Sequence, residues 1–452
     1  MKDELFRDMP IPKAVAKLVI PTMLGMIVTI IYNMVDTFFV GQTGDPMQVA
    51  AVSLASPIFM LLMAFGNIFG IGGASLISRL LGMQQKEKIK SVSSFCFYCC
   101  IGIGLISTVV YLAFMPEIVG MIGASEQTWA FAQQYLIYIA YGAVFIVIQA
   151  AFGNIVRAEG AAKEAMMGMM IGTVINIVLD PIMILTLKMG VAGAAIATII
   201  GNVCSVIYYV YYLTKKGTLL SIHPKYFAFK KDISKEVFFI GIPASLNNVL
   251  MSVSMVVLNN YVASYGDIAV SAMGVSNRLF SLLIMLQLGV GMGIQPLVGY
   301  NYAARNYKRM NDAVKFGGFL GVGIGAVVTA VFIAFAGPLI QLFINNADVV
   351  EYGKYFLRAQ VSIGPVVGFM FIFMGSFQSM GKSIPALILS VSRQGFAFFP
   401  IIIIANALFG LDGVAWAQPA ADVVSTLLAG VMYYAYYKKS HRQLLEEQSM
   451  NI

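Results

Sequence analysis

Twelve predominantly apolar stretches follow one another along this chain, at residues 14–40, 48–78, 92–114, 130–156, 161–187, 191–213, 234–263, 269–300, 314–343, 352–380, 384–409 and 412–437. A helix needs ~20 such residues to cross the hydrocarbon core of a bilayer. Inside that core the backbone can satisfy its polar groups only as helices or as a closed barrel. The short alternating strands of a barrel are not what this sequence shows. The composition agrees, with 59% hydrophobic and 11% charged residues in a chain of 452, where a soluble domain carries roughly 25% charged. The fold class expected is therefore an all-α integral membrane protein with twelve transmembrane helices. A water-soluble enzyme, a disordered regulator and a nucleic-acid binder are excluded. The first apolar run is too long for a cleavable signal peptide and is followed by further spans.

The net charge of +8 records topology rather than a polyanionic partner. Of the 29 Lys and Arg residues, 25 flank alternate spans, from Lys2, Arg7, Lys13 and Lys17 through 79–90, 157–163, 215–235, 305–315 and 382–393 to Lys438, Lys439 and Arg442. The intervening connections hold only Lys188, Lys354 and Arg358, and Arg278 lies within a span. This is the positive-inside asymmetry, and it predicts a multi-pass protein of the cell (inner) membrane with both termini in the cytoplasm. The cysteines, Cys96, Cys99, Cys100 and Cys204, all fall in spans without a nearby His, Asp or Glu, so they are expected to pack as small apolar side chains.

The chain also contains itself twice. Ile20-Pro21 pairs with Ile242-Pro243 at an offset of 222, Ala50-Ala51-Val52 with Ala272-Met273-Gly274, and the basic turn Gly82–Lys86 with Ala304–Lys308. Later, Gly190-Val-Ala-Gly193 pairs with Gly410-Leu-Asp-Gly413 at 220. The expected organisation is an N-terminal six-helix lobe at 1–213, a cytoplasmic linker at 214–235, a C-terminal six-helix lobe at 236–437 and a cytoplasmic tail at 438–452. Six is even, so the two lobes share one orientation, with substrate expected in a central cleft between them. Gly168-x3-Gly172 and Gly317-x3-Gly321-x3-Gly325 read as helix-packing faces.

Three carboxylates lie deep in spans: Asp36, Asp180 and Asp422. An ionisable group at membrane depth costs at least ~2.5–3.5 kcal/mol on insertion scales, so a function is the default expectation. Asp36 and Asp180 fall at similar depth in the outer half of the first lobe. Asn176 precedes Asp180 by one turn, on the same helix face. Pro181 frees a backbone carbonyl near residue 177. Together these oxygens suit a hard cation such as Na+, or shared protons. Asp422 comes at the same depth as Arg278 and Arg393, which suggests a buried structural ion network. Tyr32, Tyr141, Gln149, Phe152, Asn248 and Met285 are the candidates for lining the cleft, since aromatic faces and Met suit lipophilic cations of varied shape. There is no phosphate-binding loop, because Gly375 and Gly381-Lys382-Ser383 have five residues between them where four are needed. With no embedded His, no Gly-x-Ser-x-Gly and no His-Glu-x-x-His, an enzyme is not expected.

Several segments carry a family resemblance: Tyr32-Asn-Met-Val-Asp36-Thr-Phe-Phe-Val-Gly41, Asn154-Ile-Val-Arg157-Ala-Glu-Gly160, Asn176-Ile-Val-Leu-Asp180-Pro181, Gly190-Val-Ala-Gly193, Ser78-Arg-Leu-Leu-Gly82 and Asn406-Ala-Leu-Phe-Gly-Leu-Asp-Gly413. Along its whole length the chain resembles the multidrug and toxic compound extrusion (MATE) transporters, in particular the MepA- and DinF-like branch. It lacks the acidic residues in helices seven and ten that mark the NorM branch. The resemblance implies an ion-gradient-coupled antiporter, driven by H+ or Na+, that exports lipophilic and often cationic drugs by alternating access and so contributes to antibiotic resistance. It also implies a first-lobe cation site at the positions of Asp36, Asn176, Asp180 and Thr198, with no cofactor beyond the coupling ion. A monomer among membrane lipids is expected. The alternative within the same superfamily is a flippase for lipid-linked oligosaccharides or lipids, which would need a strongly cationic cavity.

Overall fold

The computed structural model describes residues 2–215, 217–344 and 346–450, with the side chains of 2, 3, 33, 37 and 439–450 outside the described set; most of the expected tail at 438–452 therefore lies outside the described side chains. Six membrane helices come first: α1 (Ile11–Gly41), α2 (Pro46–Gly82), α3 (Lys86–Ala113), α4 (Glu126–Ala158), α5 (Ala162–Thr186) and α6 (Val191–Thr214). Six more follow. They are α7 (Lys231–Ala263), α8 (Asp267–Ala303), α9 (Tyr307–Ala334), the bent pair Ala347–Val361 and Gly364–Ser379 as α10, and the run Ser383–Lys438. That run breaks at Gly410, whose φ of 58° and ψ of −134° no helix contains, and so supplies α11 (383–409) and α12 (411–438). The chain is an all-helical integral membrane protein of twelve spans. Its outward side chains are apolar where a soluble protein's would be polar. Along α1 the exposed residues Ile20, Leu24, Ile27, Ile31 and Phe38 recur every three to seven positions as a lipid-facing stripe.

The chain forms two compact units. One comprises Met1–Ser245 with Gln295–Met310 and Gln378–Gly381, and the other Leu246–Ile294, Asn311–Phe377 and Lys382–Ile452. In the second unit a buried cluster that includes Leu258, Val262, Met273, Phe356, Phe398, Ile402 and Val414 forms the core. In the first, the short helix Lys2–Arg7 is clasped where Arg309 Nε and Asn301 Nδ2 donate to the Phe6 carbonyl at 2.7 and 3.2 Å. The Phe6 ring stacks on Tyr300 with centroids 5.0 Å apart.

The internal repeat is written into the backbone. Gly190 and Gly410 share one unusual conformation, φ 54° and ψ −130° against φ 58° and ψ −134°, which a residue with a Cβ adopts only under strain. Left-handed residues also pair at Gly44 and Gly266, Gln84 and Arg305, and Gly160 and Gly381. The turn after α2 and after α8 thus pairs at 221 residues rather than the expected 222, so Lys86 corresponds to Tyr307 and not to Lys308. Left-handed residues and helix starts set that register, whereas the position of a basic residue on a loop does not.

Helix α3 starts at Lys86 and α9 at Tyr307, six and seven residues before the expected bounds, and two spans also depart in shape. The stretch 314–343 is not one helix: α9 ends at Ala334 and a short helix follows at Ala336–Gln341, as Met115–Met121 follows α3. Each short helix carries a proline in its first turn, Pro116 or Pro338, with no N–H to continue the preceding ladder. The stretch 352–380 begins earlier, at Ala347, and bends by 46°. Pro365 cannot donate to the Val361 carbonyl four residues back, and the Thr329 hydroxyl donates to it instead at 2.6 Å. In the first half Thr108 donates likewise to the Ala140 carbonyl, at 2.7 Å. No proline follows there, and α4 runs unbroken.

Candidate cation site

Close packing of α5 on α6 builds the site. A Cβ on Gly172 would lie 2.6 Å from the Gly201 carbonyl oxygen and 2.1 Å from Ser205 Oγ, and one on Gly193 would lie 2.8 Å from the Met183 backbone. Small residues are required there because the two backbones approach to contact. This brings Thr198 on α6 beside Asn176 on α5. The Asn176 amide is satisfied with its nitrogen donating to Asp180 Oδ2 at 3.1 Å and its oxygen accepting from the Thr198 backbone N–H at 3.0 Å. Immediately after Asp180 the helix widens into a π-helical turn over Pro181–Thr186, with Leu187 N–H bonded to the Ile182 carbonyl at 2.8 Å. Pro181 at the start of this turn has no N–H to donate, and such wide turns often mark functional positions.

Helix α1 packs against α5, its π turn and α6, and contributes Tyr32 and Asp36. The Tyr32 hydroxyl lies 3.2 Å from Thr198 Oγ1. Asp180 is fully buried, and Asn176 and Thr198 are 2% and 5% exposed. Asp36 and Asp180 are close enough to interact electrostatically, yet the buried Oδ1 of Asp36 has no hydrogen-bond partner. A buried carboxylate oxygen left unpaired is costly, and a bound cation or proton is the natural way to satisfy it. The surrounding donor set is all oxygen and suits a hard ion. Among the described residues no group of three or more His, Cys, Asp or Glu stands ready for a transition metal.

The structure therefore joins Asn176, Asp180 and Thr198 by hydrogen bonds and puts Asp36 within electrostatic reach of Asp180. It adds Tyr32, which the sequence had suggested for the cleft. Tyr135 on α4, buried and within electrostatic reach of both carboxylates, was missed. Its signal was available, since a tyrosine on a membrane helix needs a polar partner for its hydroxyl.

The other candidates are dispersed. Tyr141 is 61% exposed and Gln149 is half-buried in the first unit, while Phe152 is fully buried with its ring edge-on to Phe97 at 5.5 Å. Asn248 and Met285, both half-buried, belong to the second unit. Of the expected ion network, Arg393 and Asp422 pair at 2.8 Å with side chains 4% and 0% exposed. Gln418 Nε2 also donates to Asp422 Oδ1 at 2.8 Å. Arg393 sits on a π-helical turn, Ser392–Phe396. Arg278 is exposed on α8 and makes no ion pair with Asp422. Equal depth does not fix the direction in which a side chain leaves its helix, so depth alone grouped one residue too many.

The MatE family model matches residues 21–182 and again residues 243–403. The chain belongs to the MatE family. The two matches begin at Pro21 and Pro243, the 222-residue offset of the internal repeat. Among MatE relatives, the multidrug export protein MepA of Staphylococcus aureus (strain MSSA476) is 35% identical over 438 residues, covering 96% of each chain. A MATE crystal structure in complex with MaL6 superposes with a TM-score of 0.93 at 28% identity, covering 97% of this chain and 99% of that one. So does an outward-facing multidrug resistance MATE transporter of the MOP superfamily, at 0.93 and 28%, covering 97% and 98%.

Proposed function

We propose that this MatE protein is a cation-coupled antiporter that exports lipophilic, often cationic, drugs and toxic compounds by alternating access. The observation that carries the reading is the unpaired, buried Oδ1 of Asp36, on a side chain within electrostatic reach of Asp180 and Tyr32, which lie in one polar cluster with Asn176 and Thr198. A proton or Na+ entering there cancels charge that is costly in low dielectric. Unequal affinity of the site for two conformations then shifts their balance, since equal affinity would shift nothing. Helix α1, with Pro21 interrupting its hydrogen-bond ladder, is the element suited to bend when the ion binds and to alter the first-lobe cavity. Drug export in the MepA relative supports the substrate class. Arg393, one of two deep cations on which a flippase reading would rest, is neutralised by Asp422. The functional division follows the repeat: lobes at 1–213 and 236–437 joined by the linker at 214–235, acting as a monomer without a cofactor.

Uptake of a fluorescent lipophilic cation by proteoliposomes, under pH and sodium gradients imposed separately, tests the reading. One gradient is expected to drive accumulation. Equal dye distribution under both would overturn it.

Orientation is proposed from the 25-to-3 distribution of basic residues, with both termini cytoplasmic in the cell membrane. Single cysteines at Asp45, Glu126, Asp267 and Asp412 should label from outside, and those at Lys88, Lys231 and Lys439 only after permeabilisation. Labelling of position 267 from inside would break the arrangement.

A further inference from the structure

The segment between α6 and α7 is a strap held against α3. Glu159, fully buried, pins its start, accepting from the Thr218 hydroxyl at 2.9 Å and the Leu219 N–H at 3.0 Å. Further on, Ser93 Oγ and Ser94 Oγ donate to the Ser221 carbonyl at 2.7 and 2.9 Å, and the Tyr98 hydroxyl donates to the Ile222 carbonyl at 3.0 Å. The rings of Phe227 and Phe229 meet Tyr98 and Phe95 edge-on at 5.4 and 5.5 Å. These anchor points lie seven to twelve residues into α3, about 10–18 Å along its axis from Lys86 at 1.5 Å per residue. The strap therefore does not loop freely above the bilayer. It lies against the wall of α3 at the level where that helix passes from its exposed lysines into its apolar run.

Its outward surface is of two kinds. Phe229 is 70% exposed and Phe227 42% exposed. Lys225, Lys230 and Lys231 surround them, also exposed. The neighbouring carboxylates Glu87 and Glu236 are taken by Lys90 and Arg79, each at 2.8 Å, and the exposed Asp232 offsets part of the charge. Two exposed aromatic rings among three lysines that have no carboxylate partner among the described residues form the pattern of an interfacial anchor, with rings at the acyl boundary and ammonium groups among phosphates.

We propose that this strap is a binding site for an anionic phospholipid. Lys225, Lys230 and Lys231 hold the headgroup phosphate, and Phe227 and Phe229 lie against the acyl chains. Charge complementarity with an anionic leaflet and continuity with the lipid-facing surface of α3 identify the occupant. The inference rests on the cytoplasmic placement of the linker and is independent of the transported substrate.

The test uses the purified full chain in neutral detergent. Its thermal midpoint is followed while phosphatidylglycerol, phosphatidylcholine or soluble glycerol phosphate is added, and retained lipid is counted by native mass spectrometry. Phosphatidylglycerol alone is expected to raise the midpoint and to be retained. Lys225→Gln, Lys230→Gln and Lys231→Gln combined should weaken its apparent affinity at least about tenfold, while the corresponding triple Lys→Arg variant keeps it. Equal responses of the native chain to phosphatidylglycerol and phosphatidylcholine would overturn the site without need of any variant. So would a response to glycerol phosphate that matches the lipid's, or native affinity in the triple Gln variant.

Discussion

Proteoliposomes carrying Asp36→Asn are expected to lose gradient-driven dye transport to the level of empty vesicles, a fall of about 100-fold, the upper range of coupling one ligand supplies between two conformations. Asparagine keeps the shape of the side chain and removes its charge. The protein should therefore fold and still bind substrate while the ion no longer has a carboxylate to neutralise. Asp180→Asn is expected to do much the same. Asp180 accepts from Asn176 at 3.1 Å and interacts electrostatically with Asp36. The double variant should be little worse than either single one, because residues that serve one site do not lose their effects independently. Native transport in Asp36→Asn, with unchanged responses to pH and sodium, would sink the mechanism.

The second large effect is on stability. Asp422→Asn removes the charged partner of a guanidinium that is 4% exposed, and breaking a buried pair from one side costs about 3–5 kcal/mol. Yield and thermal midpoint in detergent should fall clearly, while the dependence of residual transport on pH and sodium stays as in the native protein. Replacing both members, Arg393→Met with Asp422→Leu, is expected to be milder than either single loss, since no charge is then left uncompensated. A stable Asp422→Asn protein with an altered pH profile would instead assign Asp422 to ion coupling.

Much of this protein was legible before any coordinates, for a reason specific to lipid. Hydrocarbon offers no hydrogen bonds, so each crossing must be a helix of about 20 apolar residues. Counting such runs gave the twelve spans, and counting lysines and arginines proposed their direction. Rarity made the candidate site legible too: only three carboxylates lie deep in the spans, and one-turn spacing already tied Asn176 to Asp180. Distances across helices were a different matter. Tyr32 bonds to Thr198 at 3.2 Å across 166 residues, and Tyr135 reaches the carboxylates from α4, because Gly172, Gly193 and Gly201 let α5 and α6 close on one another. Arg278 shared a depth with Arg393 and Asp422 but not an azimuth. Sequence by itself determined which helix carries each polar group and how far along that helix it lies. Only the tertiary structure decided which groups face each other, because the rotation of a helix about its axis is set by side-chain contact with its neighbours.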